Sequence, residues 1–324
     1  MNPLKYVHFI DSTITLQTRH FFDMSDSKLS HLEQLLKGYG STLIAYSGGV
    51  DSVFLAFMAH KVLGPLSVAA IADSPSLPRR ELQDALAIAK QFGFTVRVIK
   101  TAEFENQRYT SNPLNRCYFC KHELFSELGH LAQHLGLNVI SYGENATDVG
   151  DFRPGAQAAK EFAIRAPLKE ANLSKSEIRT FSARFGLPTS DKPQMACLSS
   201  RVPHGEPVTE SKLQMIESAE NLLRDLGFFD VRVRHHELAS TGALAVPAVL
   251  PEVNSLATPS IRQALARIEV GSSELPRLLN VQTAEHIAGE LKRIGYTHVT
   301  LDLHGYRRGG ANNLVAQVQA ESAS

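Results

Sequence analysis

The chain has 324 residues, and its 33 Lys and Arg balance its 33 Asp and Glu, so its formal net charge is zero. Proteins that bind nucleic acid draw much of their affinity from neutralising phosphates and usually carry a basic excess. The charge balance therefore predicts no nucleic-acid partner. A hydrophobic fraction of 43% excludes a mainly disordered chain, and the length predicts about two domains.

The cysteines and the lack of long apolar runs bear on the compartment. The number of cysteines, three, is odd and low, which does not make a disulfide framework and indicates a reducing compartment with thiol or metal chemistry. No run of about eighteen apolar residues occurs, and the first residues lack the pattern of an export signal. We therefore expect a cytoplasmic protein with no membrane partner.

Strands alternate with helices in the first half of the chain. The apolar spacing predicts strands at 42–46, 66–71, 95–99 and 138–142, and helices at 50–63, 79–92, 118–135 and 173–185. Ser174, with Glu177 three residues further on, predicts a capping box for the last of these helices. Such alternation is typical of an α/β fold in which a parallel sheet carries helices on both faces. Ligands bind these sheets at the carboxyl ends of the strands, where Ser47, Ser74 and Gly143 lie.

The second half of the chain has a different order of predicted elements. Its spacing predicts helices at 211–226 and 284–294, and strands at 230–236, 266–270 and 298–303. Residues 239–263 are rich in Ala, Pro, Ser and Thr without periodicity, which indicates an insertion or a mobile loop. We predict an N-terminal extension (1–25), an α/β domain (26–205), a smaller α+β domain containing the insertion (206–313), and a tail (314–324).

Residues 47–52, Ser-Gly-Gly-Val-Asp-Ser, form a glycine loop between the first predicted strand and its helix. Gly48 and Gly49 let the backbone approach a phosphate, and the hydroxyls of Ser47 and Ser52 add donors beside the free amides of the helix. Asp51 would repel a phosphate, so it is expected to hold the loop or a magnesium ion. An ordinary tight turn is the alternative. The Walker and Gly-x-Gly-x-x-Gly patterns are absent from this loop, which disfavours common kinases, GTPases and dehydrogenases.

The cysteines form a pair and a single residue. Cys117 and Cys120 lie three residues apart at the start of a predicted helix, and Cys197 lies in a distant polar loop. The helix dipole and Lys121 favour the thiolates of the pair, which supplies two metal ligands or a redox couple. A small buried hydrophobe is the alternative for each. Three thiols with an open fourth position suit an iron–sulfur cluster, whereas three thiols and a histidine suit structural zinc.

The glycine loop resembles the PP-loop of the ATP pyrophosphatases, which cleave ATP between its α- and β-phosphates to adenylate a substrate. Further segments, between about residue 40 and residue 313, resemble the LarE family of ATP-dependent sulfur transferases. Those segments are SPSLPRREL, NRCYFCKHELF, GDFRPG, ACLSSRVPHG, SAENLLRDLGF, VRVRHH and TLDLHGYRRGG. The resemblance implies a PP-loop parallel-sheet fold that uses ATP and Mg²⁺.

The LarE resemblance also implies an activity. In this family a carboxylate of pyridinium-3,5-biscarboxylic acid mononucleotide is adenylated and converted to a thiocarboxylate, during synthesis of the nickel-pincer nucleotide of lactate racemase. Some members sacrifice the sulfur of the cysteine that matches Cys197, and others carry three cysteines and a [4Fe-4S] cluster that relays sulfide. This chain has the second pattern, so Cys117, Cys120 and Cys197 are expected to hold a [4Fe-4S] cluster, with the sacrificial route still open. The resemblance implies a homo-oligomer, commonly a hexamer, and leaves the sulfide donor unidentified.

Several charged residues are expected to hold the substrate. Arg232 and Arg234 alternate with valines on a predicted strand, so both guanidiniums project from one face and can fork a phosphate. A solvated face is the alternative, and the resemblance favours the phosphate of the mononucleotide. The resemblance also places Arg201 and Glu220 near the site, with Glu220 as a base, an orienting group or simply a surface residue. Lys121 matches a lysine of the family's site, or it only favours the neighbouring thiolates.

The nucleotide side of the predicted site departs from the family pattern. Asp148 and Arg153 are candidates for nucleotide binding, as is Ser74 at a strand end. The family pattern has acidic residues at the positions of Tyr142 and Thr147, where this chain has none. Asp148 is expected to help bind magnesium or fix the loop, or else to cap a turn.

Two other functions stay open on the sequence alone. Enzymes of tRNA thiolation also combine a PP-loop with cysteines, but the neutral charge and the lack of a basic RNA-binding module weigh against that function. An ATP-binding regulatory module with structural zinc would bind nucleotide without releasing pyrophosphate. An assay of pyrophosphate release, with and without the dicarboxylate substrate, discriminates among the three.

Overall fold

The computed structural model describes residues 26–148, 154–238 and 263–307. The predicted N-terminal extension, the tail, residues 239–262 of the predicted insertion and Arg153 lie outside the described residues. The described chain divides into two compact units. The first unit comprises 26–103 and 117–195, and the second comprises 104–116 and 196–307, each with the gaps just given.

The first unit contains a four-stranded parallel sheet. Its strands are β1 (Thr42–Ala45), β2 (Ser67–Asp73), β3 (Thr95–Lys100) and β4 (Val139–Tyr142), in the order β3-β2-β1-β4. Side chains of β1 alternate between two apolar cores, with Ile44 in one and Leu43 and Ala45 in the other. Because both faces of the sheet are buried, β1 is a short, fully buried strand in which apolar residues follow Thr42 without alternation. The predicted α/β class is confirmed.

Helices cover both faces of this sheet. In chain order the described helices are α1 (26–39), α2 (Val50–Leu63), α3 (Arg79–Phe92), α4 (Gln107–Thr110), α5 (Arg116–Leu135), α6 (Pro154–Glu161), α7 (Pro167–Glu170), α8 (Lys175–Arg184), α9 (Glu210–Asp225), α10 (Leu275–Leu278) and α11 (Val281–Ile294). Buried residues of α1, α2, α3 and α8 share one core with Ile44, and those of α5 and α6 share the other with Leu43. None of the described helices is long and apolar enough to cross a membrane.

The second unit is built on a smaller, mixed sheet. Its strands are β5 (Val231–Leu238), β6 (Gln263–Val270) and β7 (His298–Leu301). β5 pairs antiparallel with β6, and β6 pairs parallel with β7. Buried residues of α9 and α11 pack with Val231 and Val233 into one apolar core. This sheet confirms the smaller C-terminal domain.

Several element limits differ from the predicted ones. β2 runs to Asp73 rather than residue 71, because backbone pairing of Asp73 with Lys100 continues past the apolar run. The helices α1, α4, α6, α7 and α10 were not predicted. The capping box of α8 is present: the Ser174 hydroxyl accepts the backbone N–H of Glu177 at 3.3 Å, and the Ser174 N–H donates to the Glu177 carboxylate at 2.9 Å.

The division between the two units differs from the predicted domain limits in two places. Residues 196–205 belong to the second unit, as does the segment 104–116 from within the first predicted domain. The segment joins the second unit through hydrogen bonds such as Val208 N–H to the Thr110 carbonyl, at 2.8 Å. The residues of 104–116 carry no local signal that they pack with the second unit. The predicted domain limits stay a prediction.

The tight approach of α3 to the glycine loop yields a stability prediction. Gly48 has a φ of +73°, and a Cβ there would lie 2.8 Å from the Cβ of Ala85 in α3. We expect Gly48→Ala to lower the free energy of unfolding by about 2 kcal/mol or more, through backbone strain plus steric overlap. Gly136→Ala is the control, because Gly136 has a φ of +65° with no atom within 4 Å and should show only the strain of about 1 kcal/mol. Denaturant titration measures both, and equal losses would contradict the close contact.

Candidate active site

The glycine loop is held in shape by its own serines. The Ser52 hydroxyl accepts the backbone N–H of Ser47 and donates to the Gly49 carbonyl, each at 3.1 Å. The two serine hydroxyl oxygens also lie 3.1 Å apart. Gly48, at positive φ, turns the chain from β1 into α2. Because the first amides of a helix lack acceptors within the helix, those of α2 are available to an anion.

The glycine loop lines a cleft that is open to solvent. The lining residues are Ala45, Tyr46, Ser47, Gly49, Asp51, Ser52, Lys121, Leu124, Tyr142 and Gly143. The structure therefore brings Lys121 of α5 to the same cleft as the loop. A Cβ on Gly143 would lie 2.9 Å from the backbone nitrogen of Ser52, so a glycine is needed where the end of β4 meets the loop. A polyphosphate in this cleft would meet both backbone amides and an ammonium group.

Asp51 is a carboxylate with one paired and one unpaired oxygen. Its Oδ2 lies 2.5 Å from Nζ of Lys175, whereas its Oδ1 is buried and has no hydrogen-bond partner in the described chain. Burial raises the pKa of Asp51, and the charge of Lys175 opposes that effect. Magnesium prefers carboxylate oxygens as ligands, so a half-paired carboxylate beside a phosphate-binding loop fits the metal ion that accompanies ATP.

Two lysines at the glycine loop were missed by the sequence analysis. Lys175 is the first residue of α8, where the helix dipole disfavours a positive charge, and its pairing with Asp51 compensates. Nζ of Lys192 lies 2.6 Å from a carboxylate oxygen of Glu81 and 3.4 Å from the Gly48 carbonyl oxygen. Lys175 could have been found from its place directly after a predicted N-cap. No sequence pattern points from Lys192 to the loop.

The other predicted nucleotide-binding residues have local partners. Ser74 is buried, and its hydroxyl accepts a backbone N–H two residues further on, at 3.2 Å. The carboxylate of Asp148 accepts the backbone and side-chain N–H groups of Asn145 at 3.2 and 2.8 Å, which is the turn-capping role. The phenol of Tyr142 hydrogen-bonds to the carboxylate of Glu144. The carboxylate of Glu144 thus lies two residues along the chain from Tyr142, the position at which the family pattern has an acidic residue.

The three cysteines divide between the two units. Cys117 and Cys120 lie at the start of α5 in the first unit, the former exposed and the latter half-buried, and the half-buried Cys197 lies in the second unit. Within the described chain no three His, Cys, Asp or Glu side chains form a group that could hold a metal ion. The pair on α5 offers two thiols one helical turn apart. The three-cysteine ligand set stays a prediction.

Arg201 and Glu220 form an ion pair in the interior of the second unit, where their side chains are 2% and 1% exposed. Nε and Nη2 of Arg201 donate to the two carboxylate oxygens at 2.8 and 3.1 Å. Nη1 of Arg201 donates to the carbonyls of Ala196 and Cys197 at 2.8 and 3.1 Å. Glu220 also accepts the backbone N–H of Val233 at 3.0 Å. The pair therefore ties the backbone of Cys197 to α9 and β5.

The titration of this pair follows from its burial and its partners. Burial acts to raise the pKa of Glu220, but the charge and hydrogen bonds of Arg201 outweigh it, so the pKa lies below its ordinary value. Burial acts to lower the pKa of Arg201, and Glu220 outweighs it in the same way and raises that pKa. Glu220 is consequently an ionised group that orients Arg201, and its burial excludes the surface alternative.

Arg232 and Arg234 lie on the face of β5 opposite the apolar core, as the alternation predicts. Nε and Nη2 of Arg234 donate to the carboxylate of Glu269 at 3.1 and 2.9 Å, and its Nη1 donates to the carbonyl of Ser200 at 2.8 Å. The guanidinium of Arg232 lies 4.7 Å from the centroid of the Tyr306 ring. Both side chains are ordered by protein groups, and Arg234 connects this sheet face to the loop that contains Cys197.

The segment before the cysteine pair also holds the Cys197 loop, which the sequence analysis missed. Asn112 is fully buried at a φ of +57°. Its side-chain amide donates to three carbonyls of the loop, those of Val202, Pro203 and Glu206, at 3.3, 2.7 and 3.0 Å. Arg116 donates to the Ser199 carbonyl at 2.9 Å, and the Tyr109 hydroxyl lies 2.8 Å from the Ser199 hydroxyl. The loop is therefore fixed on both sides of the 3₁₀ turn that follows Cys197.

The strand, glycine loop and helix at the parallel sheet, without a Walker lysine, define a nucleotide-binding domain of the PP-loop class. Comparison with protein families agrees: the NAD synthase family matches residues 27–113. That match contains β1, the glycine loop and α2.

Comparison with individual proteins extends over most of the chain. The chain is 42% identical over 294 residues to uncharacterized protein slr1717 of Synechocystis sp., covering 91% of this chain and 100% of that protein. It is 28% identical over 294 residues to the pyridinium-3,5-bisthiocarboxylic acid mononucleotide synthase of Lactiplantibacillus plantarum, covering 90% and 96%. It is 25% identical over 265 residues to uncharacterized protein MJ0830 of Methanocaldococcus jannaschii, covering 82% and 90%. The chain belongs to the LarE family of ATP-dependent sulfur transferases.

The buried ion pair yields a second stability prediction. Glu220→Gln leaves the charge of Arg201 buried without a counter-ion, so we expect the free energy of unfolding to fall by about 3–5 kcal/mol at neutral pH. Glu290→Gln is the control, because Glu290 pairs with Arg293, whose side chain is 75% exposed, and such surface pairs contribute only about 0–1 kcal/mol.

The pH dependence of that difference gives its check. The pKa of Glu220 is depressed from an ordinary value of 4.5, so the pair's contribution is present above that pH and is lost as the pH falls through the folded-state pKa. The gap in stability between the unsubstituted protein and Glu220→Gln should therefore shrink on acidification. A gap that stays constant down to the acid transition would contradict an ionised Glu220.

Proposed function

We propose that this protein uses ATP to adenylate a carboxylate of pyridinium-3,5-biscarboxylic acid mononucleotide and then converts that carboxylate to a thiocarboxylate, for nickel-pincer nucleotide biosynthesis. The observation that carries the proposal is the 28% identity, over 90% of the chain, to a pyridinium-3,5-bisthiocarboxylic acid mononucleotide synthase. The cleft at the glycine loop supports the use of ATP, and the Cys197 loop supports the transfer of sulfur.

The first half-reaction takes place at the glycine loop. A carboxylate oxygen of the substrate attacks the α-phosphorus of ATP, the bond to the β-phosphate oxygen breaks, and pyrophosphate leaves. The amides of α2 and the ammonium of Lys121 stabilise the charge that develops on the pyrophosphate. Asp51 would hold Mg²⁺ through Oδ1, and the ion neutralises phosphate charge when bound. Lys175 keeps the other oxygen of Asp51 in place.

The second half-reaction exchanges oxygen for sulfur. A carboxylate resists attack by sulfur because oxide is a poor leaving group, whereas AMP leaves an acyl-adenylate readily. In the sacrificial route the Cys197 thiolate attacks the acyl carbon and AMP leaves with the electron pair. Removal of the Cys197 α-proton then breaks its Cβ–S bond, which gives the thiocarboxylate and dehydroalanine. Arg201 holds the Cys197 backbone, and Arg232 and Arg234 are proposed to bind the substrate phosphate.

We favour a [4Fe-4S] cluster held by Cys117, Cys120 and Cys197 over the sacrificial route. The pair on α5 suits two of the ligands, because its thiols are one turn apart and neither is in a disulfide. When bound, a cluster with one open iron supplies a replaceable sulfide, so that Cys197 would survive turnover. A homo-oligomer is also part of the proposal.

Pyrophosphate release tests the adenylation step. We expect release only when ATP and the dicarboxylate mononucleotide are both present, and we expect Asp51→Asn to lower its rate by about 100-fold through loss of the metal ligand. Asp84→Asn is the matched control, because Asp84 is exposed on α3. Release that requires tRNA, or no release with any substrate, would refute the proposed function.

Iron binding and the fate of Cys197 test the cluster. After anaerobic reconstitution with iron and sulfide we expect bound iron in the unsubstituted protein and its loss in Cys117→Ser. Mass spectrometry after several turnovers should find Cys197 intact. A colourless, iron-free protein whose Cys197 loses the mass of hydrogen sulfide would overturn the cluster and support sacrifice of the cysteine.

A further inference from the structure

One face of the mixed sheet in the second unit carries charged side chains. Register pairs Arg232 with Glu269, Arg234 with Arg267, and His236 with Leu265. Because side chains of a strand alternate, these residues share one face. The other face, which includes Val231, Val233, Ile268 and Val270, forms the apolar core. The polar face is therefore a platform with β5 and β6 side by side.

The guanidiniums on this platform are paired with carboxylates. Glu269 accepts from Arg234 and also from Nη2 of Arg267, at 3.2 Å, so a single carboxylate serves two guanidiniums. Nη1 of Arg267 lies 3.8 Å from an oxygen of Asp302. Burial lowers the pKa of His236, and the charges of Arg267 and Arg234 lower it further while Glu269 acts against them. His236 thus lies close to both arginines.

Two nitrogen atoms on this platform are buried without a partner. Nε of Arg267 and Nε2 of His236 have no hydrogen-bond partner within the described residues. An unsatisfied buried donor carries a desolvation cost, so an acceptor from a ligand or from water is required there. Arg267 and His236 are diagonal neighbours on adjacent strands, a spacing that long side chains can bridge.

We propose that His236 and Arg267 form an oxyanion subsite that binds a carboxylate. A guanidinium N–H beside an imidazole nitrogen suits an anionic oxygen acceptor. The neighbouring Arg234 donates to the carbonyl of Ser200, so a ligand on the platform is held next to the Cys197 loop. This assignment of the ligand rests on the proposed function. The bound group is the substrate carboxylate that is not being adenylated, so the subsite selects a dicarboxylate over a monocarboxylate.

Binding measurements on the full chain, without ATP, test the subsite. The probes are pyridine-3,5-dicarboxylate, pyridine-3-carboxylate and inorganic phosphate, each titrated by calorimetry. We expect Arg267→Gln and His236→Gln each to weaken the dicarboxylate by about tenfold or more, the effect of losing one hydrogen bond to a charged group. Binding of phosphate should not change, because Arg232 and Arg234 remain. Arg293→Gln and His286→Gln, both exposed on α11, are the matched controls.

The outcomes separate the subsite from the proposed function. Weakened phosphate binding with unchanged dicarboxylate binding would overturn the carboxylate assignment, and so would no effect on any probe or no binding to the unsubstituted protein. If Arg267→Gln lowers the melting temperature because Glu269 loses a partner, His236→Gln decides the result, since no ion pair depends on it. If the protein binds the dicarboxylate through both residues and yet releases no pyrophosphate in the assay above, that result would support the subsite and would refute only the proposed function.

Discussion

The ion pair between Arg201 and Glu220 is the interaction on which the position of the Cys197 loop depends. Two charges at 2% and 1% exposure are tolerated because each is hydrogen-bonded to the other and to the backbone, with further contacts from the side chains of Ser200 and Arg224. The same guanidinium that neutralises Glu220 holds the carbonyl of Cys197, and the same carboxylate holds the backbone of β5. A cysteine in a loop would otherwise have many conformations, and this arrangement restricts its backbone without using the thiol itself. The buried ion pair therefore also fixes the position of Cys197.

The two units offer different groups to the anions of the proposed reaction. The glycine loop relies on backbone amides at a helix start, which need no net charge and leave Asp51 and Lys175 to balance each other beside it. The second unit relies on arginines, and each of these is ordered by carboxylates or carbonyls before a ligand arrives. Such ordering lowers the entropy lost on binding. Equal numbers of acidic and basic residues are thus compatible with the proposed anionic substrates, because the positive charge is local.

Particular residues show how far sequence reasoning reached. The strand–loop–helix around Gly48 was predicted almost to the residue, because apolar runs and glycine turns are local signals. The capping box at Ser174 was predicted for the same reason. Lys192, Asn112 and Arg116 were missed, since their partners lie 83 to 144 positions away along the chain. The role of Glu220 was left open, because a glutamate on a helix has the same sequence pattern whether it is exposed or paired in the interior.

The sequence by itself determined the α/β class, the glycine loop, the amphipathic helices and the pattern of three cysteines, because each depends on neighbours a few residues apart. Only the tertiary structure decided that the segment 104–116 joins the second unit and that Glu220 is the buried partner of Arg201. It alone decided which oxygen of Asp51 is left unpaired, and that Arg267 and His236 lie on the same sheet face. These features depend on strand register and on contacts between distant segments, which are set by the packing of the whole unit.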